Sequence, residues 1–234
     1  MDSEATTTHN YTLTAPNQIF PLVRHLSYRL TPILLKMPVT PNQITCTSLL
    51  LGLACAACFI QGSWIAGIIG GLFLVTSYTF DNCDGEVARI KKLSSDFGAK
   101  LDDMSDWIVD ASFFTALGYG TAQINGQQFW FWLGLAAAAG AFIDYIVDLI
   151  HEAKKNRNPN AISRKEQASE PRQPEDGLDW IIYIFHKLSR ADFCIIVLIL
   201  ALFNVTWILL PFAAVGAQAY WITDLFERAR GYHT

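Results

Sequence analysis

The stretch Asp81–Asp106 reads DNCDGEVARIKKLSSDFGAKLDDMSD. It lies between two apolar runs, WIAGIIGGLFLVTSYTF (64–80) and WIVDASFFTALGYG (107–120). Seven of its 26 positions are acidic. Carboxylates are therefore gathered where apolar sequence gives way to polar sequence on both sides. An account of the fold has to explain this.

The surrounding chain is of the membrane class. Of its 234 residues, 52% are hydrophobic and only 16% charged, and mean hydropathy is positive. A net charge of −4 gives no basic field for nucleic acid. Cys55 and Cys58 form a CxxC inside an apolar run, with no second pair and no nearby histidine, and read as small packing residues. The first seventeen residues are polar and lack a cleavable signal pattern, so the first apolar run is expected to be a retained span.

About 20 mostly apolar residues cross a bilayer as a helix. The expected spans are Ile44–Ile60, Trp64–Phe80, Trp107–Tyr119, Phe129–Ile150, Asp192–Phe203 and Val205–Phe226. The third and fifth reach full length only by extending back to about Gly98 and about Trp180, into polar sequence that must face protein or water. The connections 61–63, 121–128 and 204–206 contain no Lys or Arg, and all 17 basic residues fall on the other side. That bias makes the basic side cytoplasmic, with both termini inside. Ile19–Met37 mixes apolar and basic residues and suits an amphipathic interfacial helix, its continuity limited by Pro21 and Pro32. The expected fold is thus all-α and polytopic. It has six transmembrane helices plus the interfacial helix, a polar tail over 1–17, one domain over 18–230, and a mobile cytoplasmic loop over 154–177.

Within the acidic stretch, Asp81 and Asp84 are spaced i, i+3 and share a helix face. Gly85 and Ala88 leave a gap in side-chain bulk, and Arg89 follows. On the next helix Gly98, Asp102 and Asp106 are spaced i, i+4, i+8. Four bare carboxylates at this depth would repel each other and lose hydration. Oxygen ligands of this kind suit Mg²⁺, Mn²⁺ or Ca²⁺, and two Mg²⁺ would balance four carboxylates. Their open positions would take a substrate diphosphate, and Arg89 could hold phosphate oxygens with its planar fork. Glu86, Asp96 and Asp103 fall outside this pattern and are read as facing water.

The segment fits D-x2-D-G-x2-A-R-x8-G-x3-D-x3-D at all eight fixed positions: Asp81, Asp84, Gly85, Ala88, Arg89, Gly98, Asp102 and Asp106. This resembles the signature of the CDP-alcohol phosphotransferases, and the six-span layout extends the likeness over most of residues 18–230. The resemblance implies a membrane enzyme that moves a phospho-alcohol from a CDP-alcohol to a second alcohol, lipid or polyol, and releases CMP. It implies Asp81, Asp84, Asp102 and Asp106 as ligands of a Mg²⁺ pair, with Mn²⁺ as a substitute, and Asp106 as general base. Asp81, Gly85, Ala88, Arg89 and Gly98 would lie against the CDP. It further implies a homodimer. CDGEVAR followed by SRADF resembles a branch holding archaeal inositol-phosphate transferases and related bacterial proteins. A bacterial inner membrane is favoured over a eukaryotic internal membrane.

Three further residues are candidates for the acceptor: Asp110, one turn beyond Asp106, and the basic pair Lys187 and Arg190. Asp110 reads equally as a hydrogen-bonded structural residue, and the basic pair equally as interfacial anchors. Asp144 and Asp148, spaced i, i+4, are read as structural. Two rival functions use the same carboxylates. DDMSD is literally DDxxD, a prenyl-diphosphate pattern, so a membrane prenyltransferase is one. A divalent-cation transporter is the other, although the polarity is concentrated at the cytoplasmic end.

Overall fold

The computed structural model describes residue 13 and residues 21–157 and 192–218, and among these every regular element is helical. The helices are α1 (Leu22–Lys36), α2 (Pro41–Ile60), α3 (Trp64–Lys91), α4 (Asp96–Asn125), α5 (Phe129–Arg157), α6 (Phe193–Leu202) and α7 (Thr206–Gln218). α7 opens with a 3-10 turn over Thr206–Ile208. Among the described residues, three helices are long and apolar enough to cross a membrane: α2, α3, and α5 over Phe129–Val147.

Local sequence sets the ends of these helices. Thr40 and Gln43 form a reciprocal capping box at the start of α2, with Pro41 in the first turn. Ser63 caps α3 and Ser95 caps α4, each accepting the backbone N–H three residues on. Gly126 closes α4 in the left-handed conformation at φ 65°, as a residue without a Cβ can. Pro21 stands at the N-cap of α1, and Pro32 is carried on the exposed side of a helix that continues past it.

α2 packs on α3 and α4, α4 on α5, and α3 on both α1 and α6. Small residues allow the close crossings, as in membrane bundles generally. A Cβ at Gly120 would collide with the Phe59 carbonyl oxygen and lie 3.2 Å from the Gly62 Cα. One at Gly118 would lie 2.9 Å from the Gly134 Cα, and one at Gly71 3.0 Å from Leu198 Cδ1. Ser48 and Ser77 tie α2 to α3 by exchanging hydroxyl-to-carbonyl bonds of 3.0 and 2.8 Å. Phe113 and Leu74 are fully enclosed in the core, with Phe59 edge-on to Phe113 at 5.1 Å.

The three connections without basic residues meet at one end of the bundle. Gly62 and Ser63, Thr121 and Asn125, and Asn204 and Thr206 line a common cavity of about 380 Å³ there. α3 has 28 residues and α4 has 30, so each is over 40 Å long at about 1.5 Å per residue. A hydrocarbon layer is roughly 30 Å thick, so each of these helices is longer than such a layer. The expected third span, Trp107–Tyr119, lies within α4, which begins in polar sequence at Asp96. The helical extent of α5 takes in the first four residues of the expected 154–177 loop. The rest of that loop, most of the 1–17 tail, the extension towards Trp180, and Lys187 and Arg190 lie outside the described residues.

Candidate active site

The acidic stretch folds as the adjoining ends of α3 and α4, joined by a tight turn over 92–95. Counted from the far ends of their helices, Asp81 lies about 26 Å from Trp64 and Asp106 about 29 Å from Asn125, at 1.5 Å per residue. Two antiparallel helices thus bring the two aspartates to one depth.

Asp81, Asp102 and Asp106 each offer a carboxylate oxygen, and the three oxygens lie within 4.8 Å of one another. Asp81 Oδ1 and Asp102 Oδ1 are buried and have no hydrogen-bond partner, while Asp106 is open to the surface. Buried carboxylate oxygens are ordinarily hydrogen-bonded, and like charges this close are unfavourable without a cation between them. The donor set fits a divalent metal of the Mg²⁺ or Mn²⁺ kind, all oxygen and carboxylate-rich.

The fourth motif aspartate is placed differently. Asp84 is 4% exposed, and its Oδ2 accepts a 2.5 Å hydrogen bond from Thr45 Oγ1 on α2. It lies outside the three-oxygen group, with one oxygen committed to the protein. Thr45 was not singled out from the sequence. Its threonine one turn inside the PNQIT segment was the available signal.

The small residues are used in two ways. The guanidinium of Arg89 folds back along α3, so that a Cβ at Gly85 would lie 3.2 Å from Arg89 Nη1. Gly85 therefore leaves room for the arginine, which is exposed. Gly98 is the residue whose N–H Ser95 caps, and a Cβ there would lie 3.2 Å from Asn42 Oδ1. It lets the start of α2 approach the start of α4. Ala88 is half-buried on α3, one residue before Arg89.

Asp110 accepts a hydrogen bond of 3.3 Å from Tyr78 Oη on α3. Trp107, directly after Asp106, stacks on Tyr145 at 5.4 Å and meets Phe142 edge-on at 5.3 Å, which seats this part of α4 against α5. Asp144 lies on α5 as well, and the side chain of Asp148 is outside the described residues.

Glu86 corrects the reading from sequence. It does not face water: it is 7% exposed and accepts hydrogen bonds from Ser27 Oγ at 3.1 Å and Thr31 Oγ1 at 2.5 Å, both on α1. Asp96 and Asp103 are exposed as expected. Asp192, from the SRADF segment, is 1% exposed and accepts the N–H groups of Leu22 and Val23 at 2.9 and 3.0 Å. Neither role was found from sequence. The signal for the first was the i, i+4 hydroxyl pair Ser27 and Thr31.

Comparison with known proteins follows the same residues. The sequence profile of the family described as CDP-alcohol phosphatidyltransferase matches residues 38–219. A bifunctional IPC transferase and DIPP synthase of Thermococcus kodakarensis is 36% identical over 120 residues, covering 51% of this chain and 26% of that protein. A phosphatidylinositol phosphate synthase of Corynebacterium glutamicum is 37% identical over 87 residues, 36% of this chain and 38% of that one. An archaetidylinositol phosphate synthase of Pyrococcus horikoshii is 32% identical over 105 residues, 44% and 54% of the two chains. The matched region spans only about a quarter of the first curated relative's length.

Proposed function

The chain belongs to the CDP-alcohol phosphatidyltransferase family, and from that premise we propose that it transfers a phospho-alcohol from a CDP-alcohol to a second alcohol and releases CMP. The observation that carries this reading is the meeting of Asp81, Asp102 and Asp106, with two buried carboxylate oxygens left unpartnered. A prenyltransferase reading uses DDMSD alone and gives no role to Gly85, Ala88 and Arg89. A transporter reading needs cation-binding carboxylates along the far half of the path, whereas the cavity there is lined by uncharged groups such as Ser63, Thr121 and Asn204.

Asp81, Asp102 and Asp106 would hold the metal, with Asp84 completing the set through the oxygen that Thr45 does not engage. A bound divalent ion would supply charge neutralisation at the diphosphate and Lewis-acid polarisation of its phosphorus. Two Mg²⁺ ions remain the proposal on charge balance. Arg89 would hold phosphate oxygens and the charge that develops on departing CMP. Asp106, the most open of the three, takes the proton of the acceptor hydroxyl as that oxygen bonds to the β-phosphorus in line. The phosphoanhydride bond to CMP breaks in the same displacement, and its electron pair leaves on the CMP oxygen. Gly98 and Ala88 complete the CDP side of the site.

The relatives are named for making inositol-phosphate-bearing lipids. A phosphorylated polyol such as inositol phosphate is therefore the acceptor class proposed here, with a CDP-linked lipid as donor. Lys187 and Arg190 are proposed to meet the acceptor phosphate. Six spans, cytoplasmic termini and a homodimer in a bacterial inner membrane belong to the same proposal. The test is a mass-spectrometric screen of CDP-alcohol donors against inositol phosphate, inositol and glycerol phosphate, detecting CMP and the new phosphodiester. Prenyl transfer, or metal flux into proteoliposomes without CMP release, would overturn the reading.

A further inference from the structure

Glu86 is a buried acid that the transfer chemistry does not use. Among the described residues no lysine or arginine pairs with it, and its partners are the two α1 hydroxyls of Ser27 and Thr31. A carboxylate at 7% exposure with no cation is expensive to keep, and an apolar side chain of the same size would pack there at lower cost. Its position on α3 shows what it is suited to do. At about 100° per residue it stands roughly 140° around the helix from Asp81, on the back of the face that carries the ligands.

α1 is itself held at both ends. Asp192 accepts its first two N–H groups, and Lys91 Nζ donates to the Met37 and Val39 carbonyls at 3.2 and 3.0 Å. Negative charge at the N-terminus and positive charge at the C-terminus also suit the helix dipole. Glu86 and Lys91 both belong to α3, so the last turns of the catalytic helix are bolted to a fixed rod behind them. On the front, Thr45 of α2 holds Asp84. α3 is thereby gripped from two sides within three residues of sequence.

We propose that Glu86 is a positioning residue: through Ser27 and Thr31 it fixes the rotation of α3 at which Asp81 meets Asp102 and Asp106. A carboxylate oxygen roughly 6 Å from a helix axis moves about 1 Å for each 10° of rotation. A displacement of that size can cost about 100-fold in rate. The inference rests on the reading of those three aspartates as the metal and diphosphate centre.

The test uses the full chain in lipid nanodiscs. Mn²⁺ binding is titrated by electron paramagnetic resonance without substrate, and kcat and KM for the CDP-alcohol are measured separately. E86A and the pair S27A/T31V should each weaken Mn²⁺ binding and lower kcat by about 10–100-fold, the range seen when groups that orient metal ligands are removed. E86Q keeps one acceptor oxygen and should recover most of both. A purely structural role would lower the yield of folded protein but leave Mn²⁺ affinity and kcat per folded molecule unchanged, and that result in E86A overturns the proposal. If E86A does not accumulate, wild-type Mn²⁺ affinity in S27A/T31V overturns it. A wild-type chain that binds no Mn²⁺ overturns the metal-centre reading and the brace together. Intact Mn²⁺ binding in the variants overturns the brace alone.

Discussion

Replacing Asp192 by alanine should release the start of α1 and little else. The N-cap of α1 is Pro21, which provides no side-chain cap. Asp192 does that work from 170 residues away, accepting from Leu22 N at 2.9 Å and Val23 N at 3.0 Å. A hydrogen bond to a charged group contributes about 1.5–3 kcal/mol, and leaving a buried N–H unsatisfied costs about 1–3 kcal/mol. Removing a carboxylate that is only 1% exposed returns part of this, because its own desolvation is relieved. The net loss should be about 3 kcal/mol, equivalent to about 100-fold in the opening equilibrium of the first turns. Hydrogen exchange read by mass spectrometry should show α1 amides exchanging faster by about that factor. Asp192 makes no side-chain cap on α6, so exchange in Phe193–Leu202 should change little. D192N, which keeps one acceptor oxygen, should lie between. Exchange in α1 within about threefold of wild type, in a D192A protein that is otherwise folded, would refute the reasoning.

Three shorter predictions follow from the same structure. D106N should cut CMP release by about 10²–10⁴-fold, the usual cost of losing a general base, and a variant with bound metal and an unchanged rate would remove Asp106 from that role. Chelation of divalent ions should abolish CMP release, and Mg²⁺ or Mn²⁺ should restore it where Zn²⁺ does not, because the group around Asp81 is all oxygen. G120A should destabilise the α2–α4 crossing by about 1–3 kcal/mol, since the new methyl meets the Phe59 carbonyl, and a thermal melt in detergent matching wild type would contradict that packing.

Much of the architecture is legible in the sequence because membrane helices announce themselves by length and composition. The α3 motif helix, the entry of polar sequence into α4 and the convergence of the three uncharged connections all follow from runs of apolar residues and the placement of charge. The site is legible for a similar reason. Helical spacing alone puts Asp81 on one face and Asp102 and Asp106 on another. Antiparallel neighbours joined by a turn over 92–95 must set those faces at one depth.

Spacing fixes which side of a helix a residue occupies, but not what stands opposite that side. Asp84 shares a face with Asp81 in sequence, yet α2 comes near enough for Thr45 to engage it. Glu86 reads as one more acid beside water until α1 is laid against α3 and buries it. Asp192 precedes its own helix and serves another, a pairing no local pattern encodes. Residue order alone is enough to locate the long apolar helices, the one-sided placement of basic residues and the carboxylate faces, because these depend on composition and periodicity. Which acids meet each other and which are committed to the scaffold emerges when the helices pack. That choice depends on contacts between segments far apart in the chain.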